Sequence, residues 1–91
     1  EITAEELLHL QNNKADEVYL VDVRENYEFE DHNIGGVNIP LYELQDRIRE
    51  LPADMTIVFY CQTGQRSKIA VQIVNKIFKA KVYSLQNGIN E

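Results

Sequence analysis

The sequence predicts an α/β fold: a parallel sheet of about four to five strands, flanked by helices on both faces. Two observations carry this. Short β-branched runs alternate along the chain with stretches of helical spacing, which implies right-handed βαβ units. The strand runs are also almost continuously apolar, as expected of strands covered on both sides.

Taken in order, Glu1–Thr3 reads as a very short edge strand. Thr3-Ala4-Glu5-Glu6 has the form of a capping box, in which Thr3 takes the Glu6 amide and Glu6 reaches back. Leu7, Leu8 and Leu10 give the helix that follows an apolar stripe, fading at Gln11-Asn12-Asn13. Val18–Val23 is a β-branched run and a buried strand. Arg24–His32, polar except for Tyr27 and Phe29, predicts a short helix, broken at Ile34-Gly35-Gly36. Val37-Asn38-Ile39 is a brief strand stopped by Pro40.

Leu41, Leu44, Ile48 and Leu51 follow helical spacing, so one amphipathic helix is expected over 41–51, ended by Pro52. Thr56–Tyr60 is the clearest strand, and Cys61–Gly64 interrupts it. From Arg66 the pairs Ile69-Ala70, Ile73-Val74 and Ile77-Phe78 recur every four residues, predicting a helix of about three turns. Lys81–Leu85 is a last strand and Asn87-Gly88 a turn.

With 91 residues, 44% of them hydrophobic and 26% charged, the chain is read as a single domain over 1–91. It starts at Glu1 rather than Met, so further sequence is expected before it, with a leader or a partner domain left open. No apolar run approaches the roughly 20 residues of a membrane span. The net charge of −6 argues against nucleic acid or an anionic membrane as the main partner. The charge is uneven: residues 1–50 hold 13 acids and 4 bases, residues 51–91 hold 2 acids and 5 bases. The lone cysteine, Cys61, lies in the basic half and can form no internal disulfide, which suits a reducing compartment. The cytoplasm is the expected location.

Cys61-Gln62-Thr63-Gly64-Gln65-Arg66-Ser67 is where chemistry is expected. A buried strand ends, a short loop curls and a long helix begins, and in such folds ligands bind beyond the strands' carboxyl ends. The first amides of the helix lack intrahelical acceptors and sit at the positive end of its dipole. Gly64 allows a tight turn. The result is a nest of N–H donors around the Cys61 sulfur, fit to hold a thiolate, a persulfide anion or an oxyanion. Arg66 adds a permanent positive charge, and Ser67 a hydroxyl donor or a helix cap. Set against this is a plain buried cysteine at the end of a core strand.

The pattern C-x-x-G-x-R-S after a β-rich strand resembles the active-site loop of rhodanese-like sulfurtransferases. Leu20–Phe29 is similar to that family's D-V-R-E-x-x-E-F segment, and Asp31–Leu41 to its G-H-I-P-G-A-x-N-I-P-L. Asp31 stands for the family's glycine, Asn33-Ile34 for its I-P, and Asn87 for one glycine of its L-x-G-G-I. The resemblance covers about residues 2–90. It implies that Cys61 takes sulfane sulfur and that Gln62, Thr63, Gly64, Gln65, Arg66 and Ser67 form the substrate cradle. It implies no cofactor, a small anionic donor such as thiosulfate, and a thiol or protein acceptor. Relatives at the end of multidomain enzymes imply a fused or associated sulfur-carrier-activating domain.

Two other functions compete with sulfur transfer. A cysteine-dependent phosphatase of the same fold needs five residues between cysteine and arginine, and here there are four. A docking module would not need the cysteine. His32 as a base for Cys61 is less favoured than packing and a loop hydrogen bond, and His9 has no assigned role. Arg24 is expected to pair with Glu28 or Glu25. Tyr19, Tyr27, Tyr42, Tyr60 and Tyr83 are assigned to core and rim. One cysteine and two distant histidines offer no metal-ligand spacing. Arg66 is expected to face the donor unless it turns outward to a structural carboxylate.

Overall fold

The computed structural model describes residues 1–77 and 79–89. Its elements are α1 (Ala4–Asn13), a 3-10 turn (Ala15–Glu17), β1 (Val18–Asp22), α2 (Asn26–Asp31), β2 (Val37–Asn38), α3 (Leu41–Leu44), a second 3-10 turn (Ile48–Glu50), β3 (Thr56–Tyr60), α4 (Gln65–Ile77) and β4 (Lys81–Ser84). Phe78, which completes the apolar spacing of the last helix, lies outside the described residues, as do Asn90 and Glu91.

The four strands form one parallel sheet in the order β2-β1-β3-β4. β1 and β3 are central, which accounts for their unbroken apolar runs. The edges are β2, only two residues long, and β4, whose Lys81 and Tyr83 are exposed; short and charged edges resist pairing with other chains. Ile2 adds a single parallel bridge to Leu85, so the expected edge strand at the start is one residue pair deep. Thr3 and Glu6 form the capping box that starts α1.

Strand alternation divides the core in two. Val21, Val23, Ile57, Phe59 and Cys61 face α3 and α4, meeting Leu44, Ala70 and Val74. Leu20, Val58 and Tyr60 face the other way, onto Leu7 and Leu10 of α1. From β1 the chain steps to β2 on one side, then crosses back to β3 on the other. The carboxyl ends of β1 and β3 therefore flank a topological switch point, where such sheets open a crevice.

Residues 41–51 do not form one helix. α3 ends at Leu44, where the Arg47 amide is shared between the Glu43 and Leu44 carbonyls, and Arg47 lies at φ −111° and ψ 15°. Its guanidinium is held by Glu43 at 3.0 Å and Glu50 at 2.8 Å. Leu41, Leu44, Ile48 and Leu51 all still pack into the core. The apolar spacing is met by a helix end tightening into a 3-10 turn, which places side chains almost as a continuous helix does. No helix among the described residues is long and apolar enough to cross a membrane.

Phe59 is wholly buried in the central strand. Phe59→Ala should cost about 3–5 kcal/mol, a large share of a small domain's stability. Urea unfolding should show a lower midpoint with little change in slope.

Candidate functional site

Cys61 follows β3 directly, and the alternation of that strand turns its side chain toward α4 and away from solvent. Gly64, at φ +97°, folds the loop back so that its own amide donates to Cys61 Sγ at 3.1 Å. The Ser67 amide, in the first turn of α4, donates to the same sulfur at 3.4 Å. Both donors stand at the positive end of a 13-residue helix. The predicted nest is present and converges on the sulfur.

Behind the sulfur is a short chain of hydroxyls. Ser67 Oγ lies 3.6 Å from Sγ and donates to the Gly64 carbonyl at 3.1 Å. Ser84 Oγ is 2.6 Å from Ser67 Oγ. A hydroxyl has one proton, so with Ser67 committed to Gly64 the other two groups donate to it. Ser84 was not foreseen. It sits opposite Phe59 across the β3–β4 ladder, on the face that carries Cys61. Its signal in the sequence is a small polar residue on the inward side of an edge strand, following Val82 at a spacing of two.

Gln62, Thr63 and Gln65 are exposed, and among the described residues the amides that reach Sγ are those of Gly64 and Ser67 alone. Arg66 leaves the loop: its guanidinium makes a two-pronged pair with Glu28 of α2, at 2.9 and 3.2 Å. Of the two placements weighed for Arg66, the outward one is found. The Glu28 carboxyl is held well below its ordinary value, at about 2, chiefly by Arg66 and against the opposing effect of burial. Arg66 is raised in turn, first by Glu28.

The expected pairing of Arg24 with Glu28 or Glu25 is corrected. Arg24 forks onto Asp22, with Nε at 3.0 Å and Nη2 at 2.8 Å. Asp22 is fully buried, and a carboxylate without water requires a cation close by. Asp22 therefore claims Arg24, and Glu28 is left for Arg66. Arg24 also donates to the His32 carbonyl and lies 5.9 Å from the Tyr60 ring centroid. His32 is exposed and accepts this bond through its backbone carbonyl, so neither the packing nor the loop hydrogen bond expected of its side chain is found among the described residues. Tyr60 takes the Ile34 amide at 3.3 Å and donates to the Gly35 carbonyl at 2.9 Å. Burial first, then the Asp22 charge, pushes its hydroxyl up to about 12, so it remains a donor.

A second unforeseen element is the turn at Leu85–Ile89. The Ile89 amide donates to the Cys61 carbonyl at 3.0 Å. Gly88 lies at φ +65° against the loop, where a Cβ would collide with the carbonyl oxygens of Cys61 and Gln62. The turn holds the cysteine loop from outside. Beside the loop a cleft of about 480 Å³ is lined by Arg24, Tyr27, Glu28, Asp31, His32, Gln62 and Ile89.

Two outcomes follow. Gly88→Ala should destabilise the domain by roughly 1–3 kcal/mol through backbone strain, read as a lower urea midpoint. Glu28 titrates lower folded than unfolded, so its contribution to stability is present above its ordinary value of 4.5 and lost as pH falls toward about 2. Glu28→Gln should flatten that part of the stability–pH curve relative to the parent protein.

The family model described as "Rhodanese-like domain" matches residues 3–91. Uncharacterized protein YqhL of Bacillus subtilis (strain 168) is 40% identical over 73 residues, 79% of this chain and 58% of that protein. MoeZ of Mycobacterium tuberculosis (strain CDC 1551 / Oshkosh), a probable adenylyltransferase/sulfurtransferase, is 36% identical over 73 residues, 77% of this chain and 19% of that protein. The chain thus spans less than two thirds of these relatives. The human single-domain sulfurtransferase TSTD1 superposes with a TM-score of 0.81 at 25% identity, over 99% of this chain and 89% of that one. Motifs, parallel sheet, cysteine loop and comparisons agree, and the chain belongs to the rhodanese-like domain family.

Proposed function

We propose that this domain is a sulfurtransferase that carries sulfane sulfur as a persulfide on Cys61. The observation that carries the proposal is the convergence of the Gly64 and Ser67 amides on Sγ at the start of α4. Fixed dipoles of this kind favour negative charge on the Sγ that attacks a donor, and neither amide is an ionisable group. The sulfurtransferase names of MoeZ and TSTD1 support the same chemistry.

The cycle has two displacements. The Cys61 thiolate attacks the outer sulfur of a donor, a bond forms from Sγ to that sulfur, and the donor's own bond to it breaks. The donor's remainder leaves with the electron pair, as sulfite when thiosulfate is the donor. An acceptor nucleophile then takes the outer sulfur and returns Cys61 to the thiolate. Cys61 is the sole cysteine of these 91 residues, so a thiol or dithiol that takes the sulfur lies outside this domain. An activated protein carboxylate would instead be attacked by the outer sulfur, its activating group leaving. An external dithiol would then cleave the S–S bond, releasing the thiocarboxylate and the Cys61 thiol as the dithiol is oxidised to a disulfide. The adenylyltransferase in MoeZ's name supports a fused or associated activating domain as one source of the activated carboxylate. A lone reduced cysteine fits a reducing compartment such as the cytoplasm.

Phosphate-ester hydrolysis is less well supported. Four residues separate Cys61 from Arg66, and Arg66 faces Glu28 rather than the loop interior.

Intact-mass measurement tests the proposal. Thiosulfate or an organic persulfide should add the mass of one sulfur atom, and cyanide should remove it as thiocyanate. Cys61→Ser should neither gain the mass nor form thiocyanate; thiocyanate from that variant would overturn the assignment.

A further inference from the structure

Resting on the sulfurtransferase reading, we propose that Glu28 sets the choice of donor: by holding Arg66 it denies a dianionic donor its counter-charge and turns the site toward organic persulfides. The loop's one permanent cation is taken. Arg66 spends Nη1 and Nη2 on the two oxygens of Glu28. Glu28 is itself fixed from its other side, because its Oε1 accepts the Glu25 amide at 2.9 Å in the capping box of α2. A carboxylate anchored at both ends is a rigid latch rather than a passing contact.

The cleft offers no replacement. Arg24, the single Lys or Arg among its described lining residues, is committed to buried Asp22. Glu28 and Asp31 line the same walls, and Asp31 has no ion pair among the described residues. With Asp22–Arg24 and Glu28–Arg66 each neutral, Asp31 leaves the cleft beside the loop negative. Thiosulfate would bring two further negative charges toward a thiolate on a domain of net charge −6. A persulfide brings one charge in its ionised form and none as R–S–SH, the form whose terminal sulfur the Cys61 thiolate attacks.

The walls also suit an organic group. Tyr27 and Ile89 flank the cleft, which shares His32 and Ile89 with an apolar groove containing Leu7, Leu8 and Ile34. Sulfite, the part of thiosulfate left behind, has no use for that surface. In the favoured reaction the Cys61 thiolate attacks the terminal sulfur of R–S–SH. The Sγ–S bond forms, the donor S–S bond breaks, and RS⁻ leaves with the electron pair; no external oxidant or reductant is needed.

The test is single-turnover loading of Cys61, followed by intact mass, with thiosulfate and with the persulfide of 2-mercaptoethanol. The parent protein should load from the persulfide at least about 10-fold faster. Glu28→Gln, which can still form the capping box, should release Arg66 and raise the thiosulfate-to-persulfide rate ratio about 10-fold, the size of one charge-assisted hydrogen bond. Glu28→Asp, whose shorter side chain falls away from Arg66, should raise the ratio in the same direction. Adding Arg66→Gln to Glu28→Gln should erase the gain. Equal loading by the parent protein, an unchanged ratio in both Glu28 variants, or a gain that survives loss of Arg66 would each overturn the latch. Failure of both donors to load the parent protein would instead remove the sulfurtransferase reading itself.

Discussion

A carboxylate sealed away from water must have a cation beside it, and much of this fold follows from Asp22 having secured Arg24. The pair ends β1 and fixes what comes after. Arg24 reaches the His32 carbonyl and so pins the segment beyond α2. The Asp22 and Arg24 carbonyls both receive the Asn38 side-chain amide, which sets β2 against β1. The guanidinium lies over Tyr60, linking the ends of the two central strands. Because Arg24 is consumed there, Glu28 is available to Arg66, and the charge of the cleft is set in part by Asp22, which is not among its lining residues.

The site separates two kinds of polar interaction. Around the sulfur there are only neutral dipoles: two amides and a pair of linked hydroxyls. The full charges are kept to the rim, where Glu28 and Arg66 neutralise each other. Dipoles fixed by the backbone favour negative charge on Sγ without a counter-ion beside it.

The elements legible in the sequence were those whose signal is local. Val18–Val23 and Thr56–Tyr60 read as buried strands because every residue in them meets a packed surface, and the Thr3–Glu6 capping box is complete within one turn. The loop nest was legible because a strand, a glycine and a long helix stand consecutively. What could not be read were choices among partners distant in sequence. Nothing in the order of residues says that Arg66 prefers Glu28 to the loop interior, or that Arg24 prefers Asp22 to Glu28; burial of Asp22 decides both. Ser84 and Ile89 meet Cys61 and its neighbours only after α4 has returned the chain to the sheet. The break after Leu44 was hidden because a 3-10 turn keeps nearly the same apolar spacing as the helix predicted there.

The turn that holds the cysteine loop has a consequence for how the protein is made. Synthesis proceeds from the amino terminus, and the Cys61 carbonyl waits for an amide that leaves the ribosome only after α4 and β4 have been translated. Ser84, the outer member of the hydroxyl chain, arrives almost as late. On a nascent chain the thiol is thus present well before its enclosure is complete.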